Sequence, residues 1–309
     1  MTKHTGFSLS LLLLLWTCLR FAEGLLPGDT SSSKNGQTRR DLLVWPIGIG
    51  GAVVYGKMVS NAVQKISRGE LVYPEAHEQR VSSTIASAMV NSIPSSSKMN
   101  RPLRVLEVGI GKECRVIRRK LYQRAYEDIS AMGKVSELAL VGVDIKSPPQ
   151  ATLDACQDVL KKFDTKYKIS TDFKFVQGSI SNPLDFADGF FDCIVCTLTL
   201  CSVDDQVAAL TEIRRLLRPD GGCLGYTEHT AVLPNEPYRF LELQQQLLDP
   251  LQQAVAGNCH LHRYTDSTIA GVFGSDRSQT IKNERFLVEG MWPVSCQSCG
   301  VIQRIQPSF

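Results

Sequence analysis

The chain has 309 residues, of which 43% are hydrophobic and 21% charged, so it is long and apolar enough to bury a substantial core. The formal net charge of +3 is too small to indicate a nucleic-acid surface, and we expect no nucleic-acid partner. Ten cysteines are present. Several, such as Cys193 and Cys196, lie in apolar runs typical of buried free thiols rather than disulfides.

The N-terminal region carries targeting signals. Residues 7–19 form an apolar run, followed by small residues at 22–24, which predicts a signal peptide or signal anchor over residues 1–24. Residues 25–60 begin with a polar, serine-rich stretch that cannot bury enough surface to fold, and we interpret them as a linker or transit segment. The apolar residues 42–54 within this region are a candidate membrane segment.

Helical and strand patterns alternate from residue 70 onward. The predicted helices cover residues 70–90, 113–131, 152–163 and 204–218, and the predicted strands cover 104–108, 138–143, 173–176, 191–196 and 223–227. This alternation predicts an α/β fold with a doubly wound, mostly parallel sheet. Residues 286–288 and 301–305 are strand-like with no helical pattern between them, which predicts an antiparallel pair at the sheet edge.

The first predicted strand leads into an acidic residue and two spaced glycines, Glu107, Gly109 and Gly111. The glycines allow the backbone to turn tightly and to approach a ligand closely. A carboxylate before such a turn can pair with a cationic amino group, which S-adenosylmethionine has and a nicotinamide dinucleotide lacks. A dinucleotide fingerprint would have a third glycine at position 114, where this chain has Cys114, so the motif disfavours a dehydrogenase.

Further candidate residues follow the next strands. Asp144 closes the second strand, where a carboxylate can accept hydrogen bonds from two ribose hydroxyls, and Gly178-Ser179 follows the third strand, within reach of an adenine edge. The carboxyl ends of parallel strands meet at one edge of a sheet, so these positions predict a single site. The predicted cofactor-binding residues are Glu107, Gly109, Gly111, Asp144, Ile145, Gly178, Ser179, Ile180, Thr197 and Leu198.

These motifs, with residues 216–222 before the fifth strand, resemble the class I S-adenosylmethionine-dependent methyltransferases. The resemblance implies a Rossmann-like sheet with an antiparallel last strand, S-adenosylmethionine as cofactor, and a methyltransferase domain over residues 61–309. Residues 195–203, 228–229, 248–250 and 257–261 are similar to the methyltransferase-like membrane-associated thiol methyltransferases. That similarity implies S-methylation of a small thiol and a place on the endoplasmic reticulum or another endomembrane, with a plastid as the alternative.

Catalysis of methyl transfer from a sulfonium requires a positioned, deprotonated acceptor in a dry pocket. His229, just after the fifth strand, is predicted to take the acceptor's proton, and the alternative is that it packs or caps a turn. Tyr238 and Phe240 are candidate pocket residues, with core packing as the favoured role for Phe240. The Cys296-x-x-Cys299 spacing lacks further ligands, so no metal site is predicted.

Two other functions remain open at this point. The acceptor is alternatively a lipid-soluble quinone, phenol or sterol-like molecule, which a membrane-directed N-terminus also suits. A non-catalytic S-adenosylmethionine-binding protein is the third hypothesis, because Glu113 stands where the family has the third glycine of its first motif.

Overall fold

The computed structural model describes residues 51–62, 64–65, 72–95, 98–274 and 278–305. The predicted signal at 1–24 and the linker up to residue 50 lie outside the described residues. Across the described ranges, no helix is both long and apolar enough to cross a membrane. Residues 51–62 are helical and are called the leading helix below.

Seven strands form one sheet in the order β3-β2-β1-β4-β5-β7-β6. The strands are β1 (Leu103–Val108), β2 (Glu137–Asp144), β3 (Ser170–Gln177), β4 (Cys193–Thr197), β5 (Cys223–His229), β6 (Ser278–Leu287) and β7 (Cys296–Arg304). Strands β1 to β5 are parallel, and β7 runs antiparallel between β5 and β6. The α/β class and the antiparallel ending expected from the sequence are confirmed.

Helices cover both faces of this sheet. They are α1 (Glu75–Asn91), α2 (Arg115–Arg118), α3 (Gln123–Met132), α4 (Gln150–Tyr167), α5 (Gln206–Leu216), α6 (Arg239–Val255) and α7 (Thr265–Phe273). Alternation along β1 explains the two cores, because Val105 packs with α1, α3 and α4 while Leu106 packs with α5 and α7. The carboxyl ends of β1 to β5 therefore form one edge between the two helical layers, which we call the rim.

The prediction of one helix over residues 113–131 is wrong. The helical conformation stops at the end of α2, because Lys120 adopts a left-handed backbone conformation with φ +61°. Leu121 N donates to Val116 O and Lys120 N donates to Ile117 O, each at 2.9 Å. This pair of bonds is the Schellman arrangement that closes a helix. Lysine replaces the usual glycine there, so the sequence carried no visible stop signal.

The segment after β5 forms two helices, α6 and α7, that were not among the helices predicted from the sequence. The leading helix packs against α6, where Tyr55 is fully buried and its hydroxyl donates to Gln252 Oε1 at 2.8 Å. Trp292 meets the Tyr55 ring edge-on, with ring centroids 5.8 Å apart. The described structure before α1 is therefore integral to this side of the fold.

Candidate functional site

The turn after β1 brings the backbone to the rim in a conformation that glycine favours. Gly109 and Gly111 have φ of +70° and +69°. A Cβ atom at Gly109 would overlap the side chain of Thr199, whereas one at Gly111 would meet no atom within 4 Å. Gly109 is therefore required for packing, and Gly111 leaves open space above the backbone for a ligand.

Asp144 fixes this turn from the neighbouring strand. Its Oδ2 accepts a hydrogen bond from Gly111 N at 3.0 Å, and its Oδ1 accepts one from Lys146 N at 3.1 Å. Each carboxylate oxygen has a second lone pair, so two further donors can be accepted. The geometry brings together Asp144 and Gly111 as the sequence predicted, although 33 positions separate them.

Glu107 lies beneath the turn and is 3% exposed. The Tyr122 hydroxyl donates to its Oε2 at 3.0 Å. Burial raises the pKa of Glu107 to about 7, against the opposing effects of Tyr122 and Arg115. An arriving cation would restore the ionised form, since an opposite charge favours the carboxylate.

Arg115 is a site residue that sequence reasoning missed. Its guanidinium stacks over the Tyr73 ring at 4.5 Å from the centroid. Nη1 is buried without a hydrogen-bond partner among the described residues, and the nearest carboxylate oxygen in an ion pair is Glu78 Oε1 at 3.9 Å. A buried donor without an acceptor is costly, so this position is suited to an anionic ligand. The sequence shows Arg115 only as part of a basic run, which is more often a solvated helix face.

The loop after β4 is held in a strained shape by a buried carboxylate. Leu198 has φ of +52°, uncommon for a residue with a side chain. Glu228 on β5 accepts hydrogen bonds from the backbone nitrogens of Thr199, Leu200 and Cys201, at 2.9, 3.1 and 3.3 Å. These bonds keep residues 197–201 at the rim, where Thr197 and Leu198 are half-buried.

His229 lies at the end of β5 and is 1% exposed. Its Nε2 is 2.6 Å from His260 O, so this nitrogen carries the proton and donates it. Nδ1 then offers its lone pair to Cys259 Sγ at 3.7 Å. The predicted role of His229 as the acceptor's base stays a prediction, and in this geometry its free nitrogen faces a cysteine.

Some of the remaining predicted residues lie at the rim, and others lie on the protein surface or in the core. Gly178 N donates to Asp144 O at 2.9 Å, which places Gly178-Ser179 beside Asp144, while Ile145 is exposed and Ile180 is buried in the core. Tyr238 and Phe240 are 41% and 46% exposed at the start of α6. The favoured role of core packing for Phe240 is therefore wrong, because the residue begins an amphipathic helix on its solvent side.

The cysteines outside the rim behave as the sequence suggested. The nine cysteines in the described ranges are free and buried, including Cys193 and Cys196. Cys296 contacts Arg285 and Cys299 contacts Glu284, which are adjacent residues on β6. Residues three apart on a strand point to opposite faces, so this CxxC pair does not share a site.

Comparison with known proteins finds similarity to methyltransferases. Residues 133–224 match a methyltransferase domain family. The chain is 33% identical to thiol S-methyltransferase TMT1B from Homo sapiens over 159 residues, covering 48% of this chain and 63% of that protein. It is 36% identical to demethylmenaquinone methyltransferase from Beutenbergia cavernae over 100 residues, covering 32% of this chain and 40% of that protein. The matches thus span less than two thirds of these relatives.

A solved SAM-dependent methyltransferase from Methanosarcina mazei superimposes with a TM-score of 0.45 at 17% identity, covering 67% of this chain and 94% of that one. The match to the methyltransferase domain family covers residues 133–224, and the strand order of the described sheet is that of the class I methyltransferase fold. Such a domain implies S-adenosylmethionine as its cofactor. The rim fits this group, since Gly111 leaves open space, Asp144 has free lone pairs, and Arg115 Nη1 has no acceptor.

Proposed function

We propose that this protein is an S-adenosylmethionine-dependent methyltransferase that methylates the sulfur of a small thiol. The observation that carries the proposal is the rim, where four residues come together: Glu107 on β1, Gly111 in the turn after it, Arg115 on α2 and Asp144 at the end of β2. The cofactor, when bound, supplies an activated methyl group. The thiol is supported by the 33% identity to TMT1B, whose name states that acceptor.

The chain's own residues have distinct parts in this proposal. Asp144 accepts hydrogen bonds from ribose hydroxyls, and Gly178-Ser179 borders the adenine. Glu107 and Arg115 bind the oppositely charged amino and carboxylate groups of the cofactor's amino-acid end. Thr197 and Leu198 border the reacting carbon. His229 takes the acceptor's proton, and Nδ1 is its free ring nitrogen.

The position of the Glu113 side chain bears on the hypothesis that the protein binds the cofactor without catalysing a reaction. The Glu113 carboxylate pairs with Arg118 Nη1 at 2.8 Å and both side chains are exposed. No atom lies within 4 Å of a Cβ built at Gly111. Glu113 therefore leaves the space above Gly111 clear, which supports cofactor binding in spite of the altered motif.

A lipid-soluble acceptor is the second candidate function. It is supported by the 36% identity to a demethylmenaquinone methyltransferase and by the apolar runs at 7–19 and 42–54 in the sequence.

In this second proposal the segment before residue 61 holds the methyltransferase domain at an endomembrane or plastid membrane. Fractionation of cells that express the full chain, followed by alkaline carbonate extraction, tests this: release into the carbonate supernatant would contradict a membrane-embedded segment.

The deciding experiment uses the full-length protein with methyl-labelled S-adenosylmethionine and measures label transfer to an alkyl thiol, to sulfide and to a soluble quinol. Asp144→Ala is compared with Asp172→Ala, which changes an exposed carboxylate on β3. Transfer to thiols that is lost only in Asp144→Ala supports both the acceptor and the site. Cofactor binding with transfer to the quinol alone selects the second candidate, and binding without any transfer contradicts the enzyme proposal.

A further inference from the structure

A compact group of three potential metal ligands lies beside the rim. One atom from each of Cys201, His229 and Cys259 falls within 4.8 Å of the other two. The three residues come from the loop after β4, the end of β5 and the segment after α6. All are nearly inaccessible, with exposures of 2%, 1% and 9%.

The spacing fits a tetrahedral ion. Zinc–sulfur bonds of about 2.3 Å and zinc–nitrogen bonds of about 2.0–2.1 Å place neighbouring sulfur and nitrogen ligands about 3.6 Å apart in a tetrahedron. His229 Nδ1 and Cys259 Sγ are 3.7 Å apart. Small movements of side chains would then bring three ligands around one ion.

His229 is already oriented as a ligand. Metal-bound histidines usually donate the proton of the second ring nitrogen to a carboxylate or backbone carbonyl, which fixes the ring and its tautomer. His229 Nε2 does this to His260 O at 2.6 Å. The lone pair on Nδ1 consequently points into the group.

The backbone around the two cysteines is also fixed. Cys201 N donates to Glu228, and Cys201 O accepts from His260 N at 3.0 Å. Arg263 Nη1 donates to the carbonyls of Cys201 and Val203 at 3.3 and 2.7 Å. Preorganisation of this kind supports a built site rather than a chance meeting of thiols.

The charge of the group suits a divalent cation. Cys201 and Cys259 place two sulfurs, and His229 one nitrogen, within 4.8 Å of one another in an almost inaccessible place. A divalent ion would displace the thiol protons, and its charge would be balanced by the two thiolates.

The group adjoins the rim. Cys201 ends the 197–201 loop that Glu228 holds there, and His229 is the last residue of β5, whose carboxyl end is part of the rim. The cysteines are therefore neighbours of the rim and not part of a remote core.

We propose that Cys201, His229 and Cys259 bind a zinc ion whose fourth position takes the sulfur of the acceptor thiol. Three protein ligands with one exchangeable position are typical of catalytic zinc, whereas structural zinc has four protein ligands. The acceptor's S–H bond breaks as the sulfur–zinc bond forms, the proton leaves to solvent, and the zinc-bound water is displaced. In this scheme Nδ1 of His229 binds the metal, so His229 is a zinc ligand and does not act as the acceptor's base. This inference rests on the proposed function for the identity of the thiol, although the metal site stands independently.

The test uses the full-length protein purified without chelators, with metal content measured by mass spectrometry. We expect about one zinc per chain, retained in Cys296→Ser and lost in Cys201→Ser and Cys259→Ser. Cys296 is the matched control because it is equally buried and lies in the CxxC pair. Wild-type protein without zinc, and without uptake of added zinc in reductant, would overturn the proposal.

A second measurement avoids variants that fail to fold. Wild-type protein stripped with a chelator and reloaded with Co²⁺ should show sulfur-to-cobalt charge-transfer and tetrahedral d–d absorption. An alkyl thiol should shift these bands, and a spectrum unchanged by thiol contradicts the open fourth position. Methyl transfer by metal-free protein would also refute the zinc proposal, and it would leave the proposed methyltransferase function intact. Cobalt bands that respond to thiol, without any methyl transfer, would refute only the methyltransferase function.

Discussion

Glu107 is a buried carboxyl group whose ionisation depends on what lies beside it. Its pKa is about 7 in the folded protein and 4.5 as an ordinary side chain. Between these values the folded state holds a proton that the unfolded state has released. The free energy of unfolding therefore falls as pH rises through this window.

We expect cofactor affinity to change in the opposite direction. Raising the pH through about 7 ionises Glu107, which favours the cofactor's ammonium group. Calorimetric titration with S-adenosylmethionine at several pH values should show tighter binding above that pH. Glu107→Gln should flatten the profile and make the ligand-free protein more stable than wild type in alkaline buffer. An unchanged profile in the variant would assign the titration to another group.

The two glycines of the rim turn predict opposite phenotypes. Gly109→Ala combines a left-handed backbone with overlap at Thr199 and should lower stability by about 2–4 kcal/mol. Gly111→Ala has only the backbone cost, about 1–2 kcal/mol, but its methyl group projects into the ligand space. Urea denaturation should show the larger loss of stability in Gly109→Ala. Cofactor titration should show that Gly111→Ala loses more affinity than its smaller loss of stability would suggest.

Arg115 can be tested with a ligand that lacks one charged group. A charge-assisted hydrogen bond is worth about 1.5 kcal/mol or more, so Arg115→Met should weaken S-adenosylmethionine binding about tenfold. Binding of decarboxylated S-adenosylmethionine should be unaffected. Arg118→Met, at an exposed position on the same helix, is the control. Equal weakening of both ligands by Arg115→Met would remove the carboxylate assignment.

At the scale of elements, the regular sheet was predictable and the irregular joints were not. Apolar runs at 104–108 and 191–196 identified β1 and β4 because buried parallel strands have continuous hydrophobic sequence. The stop at Lys120 was missed because its left-handed conformation has no glycine to mark it. The group at positions 201, 229 and 259 has no local motif, since three separate segments supply one ligand each.

One buried carboxylate, Asp192, lies at the amino-terminal ends of the central strands, opposite the rim. Asp192 accepts from Arg101 Nη1 and Nη2, both at 2.7 Å, and from Arg104 N at 3.0 Å, and it pairs with Arg218. Asp192 thereby links β1, β4 and the end of α5 through two ion pairs and a backbone hydrogen bond. The end of the sheet facing away from the rim is thus held by arginine–carboxylate pairs, whereas at the rim the carboxylates of Asp144 and Glu228 accept from backbone nitrogens.

Asp192→Asn should destabilise the protein by about 3 kcal/mol, near the low end for a buried pair because both arginines retain some access to water. Its side chain is 1% exposed, against 35% and 23% for Arg101 and Arg218. Asp172→Asn, which breaks an exposed pair with Lys174, should change stability by less than about 0.5 kcal/mol. Chemical denaturation of both variants measures the difference, and equal values would show that burial has no effect on this contact.

At the scale of the whole molecule, hydrogen bonds link the leading helix to Cys259 beside the rim. Tyr55 bonds to Gln252, and Gln252 Nε2 donates to Cys259 Sγ at 3.7 Å. The proposed domain start at residue 61 would remove Tyr55. A shortened protein intended for assay should therefore begin before residue 51.

Tyr55→Phe tests this connection. Loss of the hydroxyl leaves Gln252 Oε1 without its donor in the interior, which should cost about 1–2 kcal/mol. Val54→Ala on the same helix changes a side chain that is 51% exposed and should be nearly neutral. Thermal unfolding in reductant compares the two, and equal melting temperatures would mean that the hydrogen bond from Tyr55 to Gln252 does not contribute to stability.

The buried thiols have a consequence for the lifetime of the protein. The nine cysteines of the described ranges are shielded from oxidants while the chain is folded. Unfolding exposes them together, and in air any mispaired disulfide would block return to the native state. Survival without reductant would then follow the rate of unfolding rather than its equilibrium, so inactivation should be irreversible and dependent on heating rate. Folded protein is thus chemically durable, and each complete unfolding event under oxidising conditions is final.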